Sequence, residues 1–423
     1  MQGFTPSGWQ KLCDPSIRTV LMVGCGGGFD FVHSLILYDS LVKLGKTIIV
    51  GSYSFGNPLE IRGESMKEFE YECVSKGPRV FLVDSSCEGN PAYCPEIGFC
   101  CFLDQKYPGK APHSIYAYYA RAFSVPTLKG LYEALVDLHN VDAIIAVDGG
   151  SDSLMRGDEE GLGDPIEDAV TVAAISAICS PSITMSSPAP MGILAVIGFG
   201  CDRFNGVSDA ASLRAVAELT KLGGFMGCIA IEPGSSALKC YQEGVACINA
   251  NESFRSIISG SILASALGHF GSPNMTDLKG TVEFDARITH DSSSLFLMPL
   301  MSFLWFFDVI TVSNRSLVCQ AIRTCDTHRA CAEEVSLLRL RGEMMKGRSR
   351  DTENVTAPAH LVETETGKRT EGWLVREMEH LPRVPSFHDH HASSSLNDDL
   401  NAIPPTPHAP LKISQNKQNC TIC

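Results

Sequence analysis

Eight carboxylates and a single arginine crowd the segment Asp148–Asp168, which also contains five glycines. The segment follows the apolar run Val141–Val147 and precedes a helical pattern rich in Ala and Val, so it is predicted to be a loop between a buried strand and a helix. Carboxylates held close together repel each other unless a cation lies between them. The cluster therefore indicates a divalent metal, basic partners or a polyhydroxylated ligand, although acids in a loop can also simply be solvated. Because oxygen ligands suit Mg²⁺ or Ca²⁺ better than zinc, the metal hypothesis takes Asp152, Asp158 and Glu159 as ligands and Mg²⁺ as the candidate cofactor.

Two acids of this segment carry a structural interpretation instead. Asp164, Pro165 and Glu167 match a complete helix start, in which Asp164 is the N-cap and Glu167 completes a capping box. We therefore assign Asp164 and Glu167 to capping. Asp148 and Asp152 remain as catalytic candidates.

A second turn of chemical interest lies near the N-terminus. The aliphatic run Arg18–Val23 leads into a glycine turn and then into the amphipathic pattern Phe31–Leu44, which is a strand, loop and helix in sequence. Such a loop lets backbone N–H groups approach an anion closely, although similar turns also serve only tight helix packing. Asp30, at the helix start, could cap the helix, hold a ligand hydroxyl or metal, or act as a general base.

The same strand, turn and helix pattern recurs along the chain. Ile193–Ile197 is predicted to be a strand that ends in a turn with Gly200, Asp202 and Asn205, and Gly224–Ile231 is predicted to be another strand. In a parallel sheet all strands present their carboxyl ends to one edge, where ligands bind. The sequence thus predicts an α/β fold with a doubly wound, mostly parallel, Rossmann-like sheet, helices on both faces, and one shared crevice.

The predicted site residues fall into three groups. The catalytic candidates are Asp30, Asp148 and Asp152. The ligand-binding candidates are Gly26, Gly27, Gly28, Gly149, Gly150, Arg156, Gly200, Asp202 and Asn205. The metal ligands are Asp152, Asp158 and Glu159.

The organisation of the whole chain is predicted as follows. Residues 1–345 form one α/β domain, in which 84–126 is an irregular insertion or lid, and 346–423 form a disordered tail poor in apolar residues. Val282–Phe284 is a short strand. Leu295–Val312 is a buried helix that runs into a short strand, because Asp308 and Pro299 interrupt it too early for a membrane span. Leu317–Arg341 is a closing helix or a pair of helices.

Composition excludes several functional classes. A net charge of -14 without a basic stripe argues against a nucleic-acid partner. Met1–Pro15 lacks the continuous apolar core of a signal peptide, so we expect a cytoplasmic protein without a transmembrane segment. The seventeen cysteines are scattered along a long chain, which favours reduced thiols over a disulfide framework. The expected partner is a small-molecule ligand.

The segment Gly149–Asp168 resembles the signature of an uncharacterised family, domain of unknown function 1152. Supporting matches lie at Gly26–Asp30, Gly198–Asp202 and Leu304–Asp308, and together they span roughly the first 340 residues. The resemblance implies a single domain with a shared pocket, and the family has no established activity to transfer. Val20–Gly28 also resembles the first motif of S-adenosylmethionine-dependent methyltransferases, over that one turn.

These observations support three hypotheses. The first is an enzyme that acts on a nucleotide or a sugar phosphate in a glycine-rich and acidic crevice with a divalent metal. The second is a non-catalytic ligand-binding or sensor protein that uses the same crevice. The third is a methyltransferase, against which the stretch Ile48–Phe55 offers no carboxylate for ribose hydroxyls.

Overall fold

A computed structural model of the protein gives the arrangement of these elements. It describes residues 5–56, 61, 67–71, 77–88, 93–180, 189–251, 255–272 and 295–349. Within these residues nine strands form one sheet in the order β3-β4-β5-β2-β1-β6-β7-β9-β8. The strands are β1 Thr19–Gly24, β2 Thr47–Ser54, β3 Lys67–Glu68, β4 Val80–Asp84, β5 Ser114–Tyr119, β6 Ala143–Gly149, β7 Met191–Ile197, β8 Phe225–Ala230 and β9 Phe303–Asp308.

The centre of the sheet is parallel, as predicted. β5, β2, β1, β6 and β7 pair in parallel, whereas β3, β4 and β9 pair only antiparallel with their neighbours. Without β9, the strands from β5 to β8 follow the 3-2-1-4-5-6 order of doubly wound nucleotide-binding sheets. The strand order reverses between β1 and β6, and the crevice for a ligand lies at such a switch point.

Central strands are buried on both faces, which explains their continuous apolar sequences. Alternate residues of β1 point to opposite sides: Val20 and Met22 belong to one core cluster, and Leu21 and Val23 to the other. The register pairs Gly24 with Val147, so that the turns after β1 and β6 begin side by side.

Helices cover both faces of the sheet, which confirms the doubly wound prediction. The first core cluster contains side chains of α1–α4, α8 and α9, and the second contains side chains of α5–α7 and α10–α12. These helices are α1 Ser7–Cys13, α2 Asp30–His33, α3 Leu35–Lys43, α4 Pro95–Lys106, α5 Val125–His139, α6 Pro165–Cys179, α7 Asp209–Lys221, α8 Ser236–Asn251, α9 Ile257–Ala266, α10 Val309–Arg315, α11 Leu317–Ile322 and α12 His328–Ser349.

The stretch 84–126 differs from the predicted insertion or lid. It contains α4 and β5, and β5 lies inside the sheet between β4 and β2. The tyrosines explain the difference, because aromatic side chains favour a half-buried pleated surface. Tyr118 is fully buried, and its Oη lies 2.9 Å from the Oη of Tyr132 on α5.

The stretch Leu295–Val312 has the reverse of the predicted order. A 3-10 turn at Pro299–Ser302 leads into strand β9, and helix α10 follows the strand. The aromatic run favours the strand. Asp308 then starts the helix, since its Oδ2 accepts a hydrogen bond from Thr311 N at 2.8 Å.

The chain divides into two units, Met1–Ala359 and His360–Cys423. All elements named above belong to the first unit, in which the predicted closing helices are the pair α11 and α12. The predicted strand Val282–Phe284 lies outside the described residues. The predicted disordered tail begins at residue 346, but residues 346–349 form the end of α12, and the tail from residue 350 onward lies outside the described residues. Among the helices that are described, none has the length and apolarity needed to cross a membrane.

Candidate functional site

A cavity of about 420 Å³ lies at the switch point between β1 and β6. Its walls come from the turn after β1, the end of β2, the loop after β6, the turn after β7 and the start of α9. The lining residues are Gly26, Gly27, Gly28, Phe29, Asp30, His33, Phe55, Tyr93, Asp148, Gly149, Asp152, Asp164, Glu167, Asp168, Asp202, Asn205, Arg255, Ser256, Ile257 and Ile258.

Asp30 joins the two central turns. Its Oδ2 accepts a hydrogen bond from Gly26 N at 2.8 Å, and its Oδ1 accepts one from Gly149 N at 3.2 Å. One buried carboxylate therefore fixes the glycine turn of β1 against the end of β6.

Glycine is required at these turns because the side chains of the site approach the backbone closely. A Cβ on Gly26 would lie 2.2 Å from Asp168 Oδ1, and a Cβ on Gly149 would lie 2.2 Å from His33 Nε2. A Cβ on Gly150 would lie 2.4 Å from Asp202 Oδ2. A side chain at any of these three glycines would therefore occupy space that the carboxylates and the histidine fill.

Three carboxylates form the group best suited to hold a cation. Asp148, Asp152 and Asp168 each offer an oxygen, and these oxygens all lie within 4.8 Å of one another. Ser153 Oγ donates a hydrogen bond to Asp148 Oδ2, and Asp164 N donates one to Asp152 Oδ2 at 3.0 Å. Asp168 Oδ2 is buried, and no donor among the described residues reaches it.

Burial and mutual repulsion disfavour the charged forms of these acids. Burial first, and then the neighbouring Asp152, hold the pKa values of Asp148, Asp168 and Asp202 well above the usual range. The same causes raise the pKa of Asp30 to about 7. A divalent cation would reverse this effect, because it stabilises the ionised carboxylates that it contacts.

The turn after β7 places Asp202 beside this group. Asp202 Oδ2 accepts a hydrogen bond from Ser151 N at 2.5 Å, which connects the loops after β6 and β7. A buried ion pair between Arg203 and Asp209 also stabilises this turn, and in it Arg203 Nε donates a hydrogen bond to Asp209 Oδ2 at 2.8 Å.

His33 presents a second unsatisfied polar atom to the cavity. The side chain is 1% exposed, and its Nδ1 lies 2.7 Å from Tyr241 Oη. Nε2 is buried, and no partner for it is found in the described part of the chain. Burial lowers the pKa of His33 to about 3, so the ring is neutral and Nε2 can hydrogen-bond a ligand.

The start of α9 supplies another part of the cavity wall. Arg255 and Ser256 line the cavity there, and Ser256 Oγ accepts a hydrogen bond from Ser259 N at 3.1 Å. The first N–H groups of a helix have no acceptor within the helix, and they carry a positive partial charge. The cavity is therefore lined by a helix start and by Arg255 as well as by its acids.

The family of this chain follows from a match to a protein-family model. The model of the family described as "Protein of unknown function (DUF1152)" matches residues 126–346, which is more than half of the 423 residues. The chain belongs to the DUF1152 family. No curated protein and no solved structure matches it.

The DUF1152 match includes the loop after β6 and the turn after β7, but it begins after the glycine turn of β1. In the fold, Asp30 is bonded to both parts of the cavity. The site of this DUF1152 protein is therefore built partly by residues that precede the matched region.

Most of the predicted site residues meet at the cavity. The lining contains nine of them: Gly26, Gly27, Gly28, Asp30, Asp148, Gly149, Asp152, Asp202 and Asn205. Gly150 lies directly behind Asp202. The predicted convergence of the triple-glycine turn and the aspartate-rich loop at one edge is thus found in the fold.

Four predicted residues are not brought to the cavity. Arg156 Nη1 pairs with Asp158 Oδ2 at 3.1 Å, and both side chains are exposed. Glu159 closes the same loop by accepting hydrogen bonds from Arg156 N at 2.9 Å and Gly157 N at 2.8 Å. Gly200 packs against Met298 below the turn. Of the three predicted metal ligands, only Asp152 belongs to the carboxylate group.

Asp164 is the N-cap residue of α6, as predicted, but the predicted side-chain capping by Asp164 and Glu167 is not found. Both side chains line the cavity. Burial raises the pKa of Asp164 to about 7, whereas the nearby His328 and Asp164 side chains outweigh burial and lower the pKa of Glu167.

Several cavity residues were missed at the level of sequence. Asp168 lies four positions after Asp164 and His33 three after Asp30, so each pair shares a helix face. That spacing was the available signal for Asp168 and His33. Arg255 offered none, because it lies in the connection between α8 and α9, far along the chain from the other residues.

Proposed function

We propose that this protein is a divalent-metal-dependent enzyme that acts on a nucleotide or a sugar phosphate, with Mg²⁺ as the cation. The observation that carries the proposal is the group of Asp148, Asp152 and Asp168, whose oxygens lie within 4.8 Å of one another in the cavity that the glycine turn lines.

The charge of the cavity supports a cation. Seven carboxyl side chains line it, and among the described lining residues Arg255 and the neutral His33 are the only basic side chains. A phosphorylated ligand would be repelled by such a wall. With a divalent cation between the acids and the ligand, phosphate oxygens can approach, as they do in enzymes that hold Mg²⁺ through one or two carboxylates.

The buried atoms without partners support a ligand in the same place. Asp168 Oδ2 and His33 Nε2 are both buried, and each costs free energy while no partner is bound. Glycine turns and helix starts at the switch point of a doubly wound sheet also commonly bind phosphate groups through backbone N–H groups.

Distinct roles follow for the residues of the cavity. Asp148, Asp152 and Asp168 would hold the cation, which neutralises phosphate charge and polarises the bond to be broken. Asp30 is the general-base candidate, because a pKa of about 7 lets it take a proton near neutral pH. His33 Nε2 would orient the ligand by a hydrogen bond.

A methyltransferase is the second candidate. The stretch Val20–Gly28, which resembles the first motif of S-adenosylmethionine-dependent methyltransferases, forms most of β1 and the glycine turn that lines the cavity. Against this candidate, the end of β2 offers Ser52 and Ser54 and no carboxylate, and Ser52 Oγ is engaged with Glu96.

The test is a thermal-shift screen of nucleotides, sugar phosphates and S-adenosylmethionine with and without Mg²⁺, followed by phosphorus NMR of every hit. Asp152→Asn removes a cavity carboxylate, and the exposed Asp158→Asn removes the same charge from the same loop outside the cavity. We expect Mg²⁺-dependent stabilisation and turnover in the wild type and in Asp158→Asn, and loss of both in Asp152→Asn.

Three outcomes would contradict the proposal. If Asp152→Asn and Asp158→Asn respond equally to Mg²⁺, the cavity carboxylates do not form a metal site. Binding without turnover would make the protein a non-catalytic binder or sensor. Stabilisation by S-adenosylmethionine alone would favour the methyltransferase.

A further inference from the structure

Aromatic side chains form a separate part of the cavity wall. Phe29, Phe55 and Tyr93 all line it, and Phe29 and Tyr93 pack edge to face with ring centroids 5.7 Å apart. Phe55 is 44% exposed, although large apolar side chains in this fold are mostly buried. An aromatic ring left open inside a ligand-sized cavity is a surface for another planar group.

The glycine turn holds the Phe55 ring in place. A Cβ on Gly27 would lie 2.0 Å from Phe55 Cε1, and a Cβ on Gly28 would lie 3.0 Å from Phe55 Cδ2. The ring therefore rests directly on the backbone of the turn. The absence of side chains at Gly27 and Gly28 is needed for this contact as well as for any approach of a phosphate.

The aromatic and acidic parts lie on opposite sides of β1. Phe55 directly follows β2, which is the neighbour of β1 on one side. Asp148 and Asp152 lie at the end of β6 and just after it, and β6 is the neighbour of β1 on the other side. A ligand that fills the cavity thus meets a ring at one end and the carboxylates at the other.

We propose that the ligand is a nucleotide whose base stacks on Phe55 while its phosphate lies at the carboxylate group. This inference rests on the proposed function and decides between its two substrate classes, since the ring of a sugar phosphate is saturated and has no π-face. The cavity of about 420 Å³ is within the range of roughly 300–1,000 Å³ that is usual for small-molecule sites. Because every base has a π-face, stacking alone selects no particular base.

The test is isothermal titration of the full chain in Mg²⁺ with ribose 5-phosphate and with the four common ribonucleoside monophosphates. The variants are Phe55→Leu, which keeps apolar bulk without a π-face, and Phe55→Trp, which keeps the π-face. Leu138→Ala is the control, because Leu138 is 55% exposed and lies on α5 away from the cavity. Thermal midpoints verify that each variant is folded.

We expect at least one nucleotide to bind about tenfold more tightly than ribose 5-phosphate, which is the effect of one stacked base. Phe55→Leu should remove this advantage and leave ribose 5-phosphate unchanged, whereas Phe55→Trp and Leu138→Ala should keep it. The inference is overturned, and the proposed function retained, if ribose 5-phosphate binds as tightly as every nucleotide or if Phe55→Leu changes nothing. If none of the five compounds binds in Mg²⁺, both are overturned.

Discussion

Gly26→Ala is the substitution for which the structure makes the sharpest prediction. The added Cβ would lie 2.2 Å from Asp168 Oδ1 and 2.8 Å from Asp30 Oδ2. Ordinary van der Waals contact begins near 3.4 Å, so the Asp168 carboxylate must retreat by about 1 Å. Asp168 is one of the three proposed cation ligands, so its displacement changes the geometry of that group.

The expected effect on the cation is large, and the effect on the fold is smaller. Displacing a side chain that supports a metal site typically costs 10- to 100-fold in affinity, so we expect Mg²⁺ or Mn²⁺ affinity to fall by roughly that factor. Forcing a methyl group into a packed region costs about 1–3 kcal/mol of unfolding free energy. The variant should therefore fold but bind the cation poorly.

Isothermal titration with Mn²⁺ and chemical denaturation in EDTA measure the two quantities separately. Gly109→Ala is the matched control, because a Cβ there meets nothing within 4 Å and the backbone does not require glycine. The reasoning is refuted if Gly26→Ala is folded and binds Mn²⁺ as tightly as Gly109→Ala does.

Three further predictions concern the residues around the cavity. In EDTA, the free energy of unfolding should fall as pH rises from 3.8 to about 7, with Asp30 alone contributing roughly 4 kcal/mol, because folded Asp30, with a pKa of about 7, keeps a proton that the unfolded chain releases. Denaturation at several pH values measures the decline, and saturating Mg²⁺ should reduce it. Arg203→Ala should lower the free energy of unfolding by about 3–5 kcal/mol, since it leaves Asp209 buried without its cation; an unchanged denaturation midpoint would contradict this. His328→Ala should lower the free energy of unfolding by about 1–3 kcal/mol at mildly acidic pH, because a histidine pairs with a carboxylate only when it is protonated, and the buried Glu167 Oε1 loses a neighbour at 3.4 Å. A fully stable variant would argue against the pair.

The location of the site could be predicted from the sequence because it depends on topology alone. Once β1 and β6 are parallel neighbours, the turns that follow them must meet at one edge, whatever their detailed conformations. The apolar runs that precede Gly26 and Asp148 were sufficient to identify these strands. This is why nine of the predicted residues line one cavity.

The choice among neighbouring acids could not be predicted, because it depends on the path of the loop. Asp158 turns outward and pairs with Arg156, and Glu159 is used by backbone N–H groups of its own loop. Asp168 is brought inward by the first turn of α6. Charge density along the chain is similar at all three positions, and only the folded backbone distinguishes them.

At α6 and β5 the structure differs from the prediction because the local sequence pattern and the tertiary packing favour different arrangements. The sequence at the start of α6 matches a complete capping pattern, yet the Asp164 and Glu167 side chains line the cavity, and Asp164 makes no capping hydrogen bond. β5 lies in a stretch rich in Pro and Gly, which is typical of loops. Burial of Tyr118 between the sheet and α5 stabilises the strand more than the Pro and Gly residues disfavour it.

A crystal of the full chain grown with Mn²⁺, measured at the manganese absorption edge, tests the central claim most directly. The account predicts an anomalous peak in contact with carboxylate oxygens of Asp148, Asp152 and Asp168, and the same peak missing in Asp152→Asn. An occupied manganese position elsewhere, with these three carboxyl groups bonded to one another, would contradict it.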